Sequence, residues 1–431
     1  MQIFISTGEV SGDLQGGMLV EALHHQAQTL GIDLDITALG GARMQAAGAK
    51  LLGDTTAIGS MGIIEALRFV LPTLKVQSQA KAYLKKHRPD LIVLIDYWGP
   101  NSVIGNYIHK HLPDVPVVYY IAPQLWVWCP FPEDLKRAIR ISDRILAIFP
   151  EEAKYFQAHG ADVTWVGHPL VDRVAQFPSR EAARAELGIS PAETAIALFP
   201  ASRHQELKYL MPVMFQAAKV LQDRYPHISF WIPLALPAYA ERIEQAIVDY
   251  GIKATLVKDN PKAVIAAADL AITKSGTVNL ELALLDIPQV VIYRVNKFTY
   301  WIAKDVLRFP RPLISPVNLV VMREIVPELL QSKVTVENMV QAAEEFLVNP
   351  QRLVQMQQDY QEVREKLGSP GVGDRAAKEI LQLLHKKLYW GRKALRPYLP
   401  LLRFFADESE GCPVLGMGMF GFGGDHGLLQ G

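Results

Sequence analysis

The chain has 431 residues, with 44 Lys+Arg against 44 Asp+Glu, so its formal charge is zero. Half of the residues are hydrophobic and 20% are charged, which excludes a disordered chain and leaves no basic surplus for nucleic acid. At about 150 residues per domain the length calls for two or three domains, because a single core of this size would be unusually large.

The N-terminus, MQIFISTGEVSGD, has no basic flank and only a short apolar run, so it reads as a first strand and not as a signal peptide. A helix follows from about Gly12. DITALG is the next strand, before a helix near Ala42. Residues 58–74 (IGSMGIIEALRFVLPTL) carry only Glu65 and Arg68 as charges, and these share one helix face. Ile63, Leu67, Val70 and Leu71 fall on the other face, with Ile64 at its flank. Such a stripe is either an amphipathic helix packed on the core or an exposed face that meets acyl chains or a membrane surface. LIVLID is a strand followed by a helix through Ile104, and VPVVYYIA is another before a helix near Glu133. The uncharged stretch 115–132 holds four prolines, which a spanning helix would not carry. RILAIF leads to a helix at Glu151, and VTWVG closes this series.

Residues 167–191 mix helical and loop signals without a strand pattern, and the domain boundary is placed there. TAIALFP, ISFWIPLA, KATLV, DLAIT and QVVIYRV then alternate with helices from about Arg203, over 239–250, over 261–267 and from Ser275. Repeated βα units predict parallel sheets with helices on both faces. The expected fold is α/β: two doubly wound Rossmann-like domains facing across a cleft, with C-terminal helices packing back. The expected boundaries are 1–170, 190–345, crossover helices 346–389 and a loosely attached tail 390–431. The tail spells G-x-G-x-x-G in GMGMFG, but no strand precedes it and only ten residues follow. Cys129 and Cys412 form neither a disulfide framework nor a zinc set, which suits a reducing cytoplasm.

Ligands of open α/β sheets bind outside the carboxyl ends of the strands, so the strand-to-helix turns are the candidate sites. The first, STGEVSGD, gathers Glu9, Ser11, Gly12 and Asp13. Its glycines allow close backbone approach, and Ser11 or Asp13 can cap the helix. Capping does not require both Glu9 and Asp13, so a substrate-lining loop is expected. Asp96 ends LIVLID after five apolar residues, where partial desolvation would suit a general base. Asn101 or Ser102 is the better cap of the helix that follows. Pro200-Ala-Ser-Arg203 opens a helix after TAIALF, and Arg203 with that helix start makes an anion site. Thr273-Lys274-Ser275-Gly276-Thr277 is a second such turn, and Glu281, four residues past Thr277, can accept the vicinal hydroxyls of a ribose. Two anion turns beside a hydroxyl-binding carboxylate point to a nucleotide sugar. No G-x-x-x-x-G-K-[ST] is present to favour ATP hydrolysis.

STGEVSGD, MGIIEAL, IAPQLWVW, VGHP, P-x-SR, KSGTVNLE, YR and SPVNL occur in this order. In these motifs, over about residues 1–385, the chain resembles the lipid-A-disaccharide synthases, glycosyltransferases of the GT-B type. The resemblance implies condensation of UDP-2,3-diacylglucosamine with 2,3-diacylglucosamine 1-phosphate into a β-1,6-linked disaccharide and UDP. It implies inversion at the anomeric centre, no metal and no other cofactor. It places the enzyme peripherally at the cytoplasmic face of the inner membrane and leaves its oligomeric state open. Carried over by motif, Asp96 matches the base. Arg203, Lys274, Ser275, Gly276, Thr277, Glu281 and Asn318 match the UDP side, and Glu9, Ser11, Gly12 and Asp13 the substrate loop. Met61, Ile63, Ile64, Leu67 and Val70 match the lipid-facing region. Two departures stand out: Asp96-Tyr-Trp-Gly-Pro-Asn101 lacks the second aspartate of D-x-P-D-F-N, and Ala201 replaces the glycine of P-G-S-R. The competing readings are a UDP-sugar 2-epimerase-like isomerase and a non-catalytic paralogue that binds nucleotide sugar or lipid.

Overall fold

The computed structural model describes residues 1–56, 58, 70–201, 204–295, 300–301 and 313–391. Met1–His385 forms one compact unit; Lys386–Gly431 is a second, of which the described part is the end of the helix Val372–Gly391.

The apolar runs become two parallel sheets. The first holds β1 (Gln2–Ser6), β2 (Asp35–Gly40), β3 (Lys50–Asp54), β4 (Leu91–Ile95), β5 (Val117–Tyr120), β6 (Arg144–Ala147) and β7 (Val163–Trp165), in the order β3-β2-β1-β4-β5-β6-β7. The second holds β8 (Thr194–Phe199), β9 (Ile228–Pro233), β10 (Ala254–Val257), β11 (Leu270–Lys274), β12 (Gln289–Tyr293) and β13 (Glu328–Leu330), in the order β10-β9-β8-β11-β12-β13. β4 is LIVLI and is buried at all five positions, as a strand covered on both faces must be. Around it Phe4, Ile92, Leu94, Ile104 and Tyr119 pack into one core.

The expected α/β architecture is present, with two strands that the sequence pattern did not reveal. β3 contains Gly53 between charged ends and pairs with β2 through a register shift at Ala38/Leu39. β13 is three residues long. Both sheets reverse their strand order once, between β1 and β4 and between β8 and β11. Those switch points are where open α/β sheets leave a crevice for ligand.

The chain passes between the two sheets twice, and the crossings touch. His168 N–H donates to Leu367 O at 2.8 Å. Gly167 has φ +89°, and a Cβ there would stand 3.0 Å from Leu367 O, so only glycine fits. The helix Val372–Gly391 then packs back on the first sheet: Arg375 Nε donates to Val166 O, and the Arg144 guanidinium pairs with Glu379 at 2.7 Å.

At the first switch point one side chain holds two strand ends together. The helix Trp98–His111 starts at Trp98, three residues before the caps proposed from sequence, and Tyr97 at its N-cap makes no side-chain cap. Asn101 is instead fully buried. Its Oδ1 accepts from Ser6 Oγ at 2.7 Å, and its Nδ2 donates to Ser6 O, Ile95 O and Asp96 O at 3.2, 3.1 and 2.9 Å. Ser102 Oγ donates to Gly99 O within its own turn. Asn101→Ala strands a buried hydroxyl and releases three carbonyls, so it should lower unfolding free energy by about 2–4 kcal/mol. Urea titration followed by circular dichroism measures this, and an unchanged midpoint would remove Asn101 from that role.

Candidate functional site

The carboxyl edge of the first sheet is built from strained turns. Glu9 after β1, Asp96 and Tyr97 after β4, and Ile121 after β5 all have positive φ, between +45° and +62°. None is glycine, and each costs of order 1 kcal/mol, a strain that clusters at ligand sites. Asp96 N–H donates to Tyr120 O and Ile121 O, and Tyr119 Oη donates to Asp96 O at 2.8 Å. Tyr97 Oη reaches across to Ile58 O at 2.8 Å. The main chain of Asp96 is thereby pinned while the residue stays solvent-exposed. The partial desolvation expected for it is absent: the β4 run is buried up to Ile95 and opens at the next residue.

The first turn differs from its expected design. The helix begins at Glu9, not Gly12, and Gly8 is its N-cap with no side-chain bond. Glu9 is half-buried, and its N–H donates to Thr55 O. A Cβ on Gly8 would meet the Tyr97 ring at 2.4 Å, and one on Gly12 would meet Thr7 Oγ1 at 2.1 Å. Gly8 lets β1's turn lie against β4's, and Gly12 lets the helix start fold onto Thr7. Ser11 is half-buried in the first helical turn. Asp13 is buried and does not cap its own helix. Its carboxylate accepts from Gly41, Arg43 and Met44 N–H at 2.8, 3.1 and 3.1 Å, and so caps the next helix, Ala42–Ala46. Of the expected loop residues, Asp13 has the structural duty.

Beside this edge lies a small recess of about 10 Å³, lined among others by Thr7, Leu39, Ile58, Thr73, Gln77 and Tyr97. It adjoins the stretch read as lipid-facing. Met61, Ile63, Ile64 and Leu67 lie outside the described residues, as does Arg203. Val70 begins the helix Val70–Lys86, and there Val70, Leu71 and Leu74 are 46%, 77% and 54% exposed.

At the second switch point the helix begins at Val278, not Ser275. Ser275 N–H donates to Ile292 O and Gly276 N–H to Asn279 Oδ1, so these two amides close the turn and do not face out of it. Ser275 Oγ donates to Ile314 O, and Lys274 Nζ stands 3.9 Å from Glu206 Oε1. Thr277 is the helix N-cap without a side-chain cap. Asn318, expected on the nucleotide side, is fully buried with both ends of its amide satisfied. It donates to Val326 O and Glu328 Oε1 and accepts from Ile325 and Val326 N–H. It holds the turn before β13 and has no hydrogen-bonding capacity left for a ligand.

Glu281 is buried and paired with a residue that the sequence reading missed. Arg173 Nε donates to Glu281 Oε1 at 2.6 Å. Burial raises the proton affinity of Glu281, opposed first by Arg173 and then by Arg43 and Lys262. Arg43 follows β2 of the first sheet, Arg173 lies between the sheets, and Glu281 follows β11 of the second. Charged groups from both halves thus meet at one carboxylate. The only hint of Arg173 in sequence was its place just after VGHP.

The comparisons agree with this geometry. Residues 3–382 match the family model described as lipid-A-disaccharide synthetase. A lipid-A-disaccharide synthase of Gloeothece citriformis is 56% identical over 381 residues, covering 88% of this chain and 99% of that protein. One from a Synechocystis species is 51% identical over 384 residues, covering 89% and 98%. Among solved structures, the S. aureus MnaA-UDP co-structure has TM-score 0.62 at 15% identity and covers 89% of this chain and 97% of that one. MurG of Acinetobacter baumannii has TM-score 0.53 at 16% identity, covering 88% and 99%. These structures share the fold. By the family match over residues 3–382 and by identity over 88–89% of its length, the chain belongs to the lipid-A-disaccharide synthase family.

Proposed function

We propose that this glycosyltransferase moves 2,3-diacylglucosamine from UDP to the 6-hydroxyl of 2,3-diacylglucosamine 1-phosphate, with inversion. The observation that carries the reading is the pair of switch points, one bearing Asp96 and Glu9, the other Lys274 and Glu281. In this reading residues 1–170 take the acceptor and 190–345 the nucleotide. Asp96 receives the proton of the acceptor hydroxyl as that oxygen bonds to the donor anomeric carbon. The bond from that carbon to the phosphate oxygen breaks, and its electron pair leaves with UDP. Arg203 and Lys274 stabilise the charge that grows on the β-phosphate. The ribose hydroxyls take the place of Arg173 on Glu281.

No described helix is long and apolar enough to cross a membrane. The exposed Val70, Leu71 and Leu74 support contact with a lipid surface, which for these substrates is the cytoplasmic face of the inner membrane.

Three outcomes follow. Asp96→Asn should cut turnover of the two diacylated substrates by about 10²–10⁴ with little change in donor KM, and near-normal turnover would remove Asp96 as the base. Glu281→Ala should weaken UDP binding by about 10–100-fold in calorimetry, since it deletes hydrogen bonds to a charged group. An unchanged affinity would place the ribose elsewhere. Replacing Val70, Leu71 and Leu74 together by Ser should reduce sedimentation with anionic vesicles while leaving circular dichroism unaltered. A lost fold would mean that these side chains belong to the core.

A further inference from the structure

Glu152 opens the helix Pro150–Ala158, which follows β6, and is the only fully buried glutamate at the carboxyl edge of the first sheet among the described residues. A glutamate in the first turn of a helix normally reaches back to one backbone N–H and keeps its other oxygen in water. Here Oε2 accepts from Ile148 and Phe149 N–H at 2.8 and 3.2 Å, the Ala122 N–H also faces the carboxyl group, and Oε1 is shut off from solvent. Complete burial penalises the anion more than the acid, while the backbone N–H groups pull the other way. The residue is joined to the proposed base by backbone contacts: it grips Ile148 and Phe149, Leu146 O accepts from Ile121 N–H at 3.3 Å, and Ile121 O accepts from Asp96 N–H at 3.1 Å. Ile121 and Asp96 are two of the left-handed residues, so the turn depends on support from behind.

We propose that Glu152 is a positioning residue for Asp96, holding the β5 and β6 ends beneath it as an uncharged acid. This rests on the reading of Asp96 as the base. Loss of the proton places a second negative charge behind Asp96 in a site closed to bulk solvent, and the supporting turn loosens. Burial raises the Glu152 pKa to about 8, against the pull of the backbone N–H groups, and the charge of Asp96 adds to the rise. The buried titratable groups on the packed elements are moved away from that pH. Tyr119 and Tyr120 on β5 are pushed up by burial, and His168 after β7, whose ring packs on Phe149, is pushed down to about 3 and stays neutral. On its own helix Glu151 is paired with Lys366, and Arg375 is bound to carbonyls, including Val166 O.

The test is the pH dependence of kcat for the purified full chain with the two diacylated substrates. Wild-type kcat should fall as pH rises through about 8. Glu152→Gln, which copies the neutral acid, should stay within about threefold of wild type at pH 7 and extend its plateau above pH 8.5. Glu152→Ala should lose kcat about 10–100-fold with donor KM unchanged, the effect of a small misplacement of a catalytic group. If Glu152→Ala fails to fold, the Gln profile still decides. A Gln profile that superimposes on the wild-type curve overturns the proposal. Asp96→Asn measured alongside separates the two readings: near-normal turnover there defeats the base assignment itself, whereas an inactive Asp96→Asn with an unshifted Gln profile defeats only the role of Glu152.

Discussion

The buried amide of Asn101 is the constraint on which the carboxyl edge of the first sheet depends. Parallel strands end at the same edge, and each must hand over to a helix without leaving buried carbonyls unpaired. At the switch point β1 and β4 are neighbours whose following turns diverge, and the carbonyls of Ser6, Ile95 and Asp96 gather where the strands end. One amide takes all three and adds the Ser6 hydroxyl. With the strand ends tied, Asp96 and Tyr97 can sit in left-handed conformations that would otherwise relax. The same turn carries Asp96 out of the sheet into solvent, which is where a base must meet an acceptor hydroxyl.

Carboxylates around the two edges divide by what their oxygens already bind. Asp13 has three backbone N–H partners, and Glu328 accepts from Ile314 and Ser315 N–H and from Asn318. Both are part of the scaffold. Glu281 is different, because its described hydrogen-bond partner is an arginine side chain, which can rotate away in a manner that backbone cannot. The neutral formal charge of the chain is therefore the sum of short-range matches made near each strand end, and says little about the site by itself.

Strand runs, helix order and the location of the turns were legible because they depend on local periodicity and on where glycines fall. β4 as LIVLI or the helix Pro261–Ala267 needs no knowledge of neighbours. β3 and β13 were not legible, since three to five residues with glycine or glutamate become strands only by pairing with β2 and β12. The capping assignments failed for a related reason. Asp13, Asn101 and Asn318 have the chemistry of caps or ligands, but their partners lie in other elements, at sequence separations that no window displays. Asp13 serves the helix at Ala42–Ala46, and Asn101 reaches Ser6. Arg173 and Glu152 escaped notice because burial, not residue type, makes them unusual.

The short helix Leu170–Val174 links these observations across the molecule. Two consecutive residues of it point to different places. Asp172 accepts from Gly371 and Gly373 N–H at 2.6 and 2.9 Å, fixing the start of the helix that packs back on the first sheet. Arg173 binds Glu281 of the second half. His168, just before them, is tied to the second crossing through Leu367 O and rests its ring on Phe149, whose N–H is held by Glu152. Both crossings, the carboxylate after β11 and the support behind Asp96 are therefore within one run of bonded contacts. One helix of five residues thus carries contacts to both crossings and to the second sheet. Glu281 and the turn at Asp96, 185 positions apart in sequence, are thereby linked through one run of contacts.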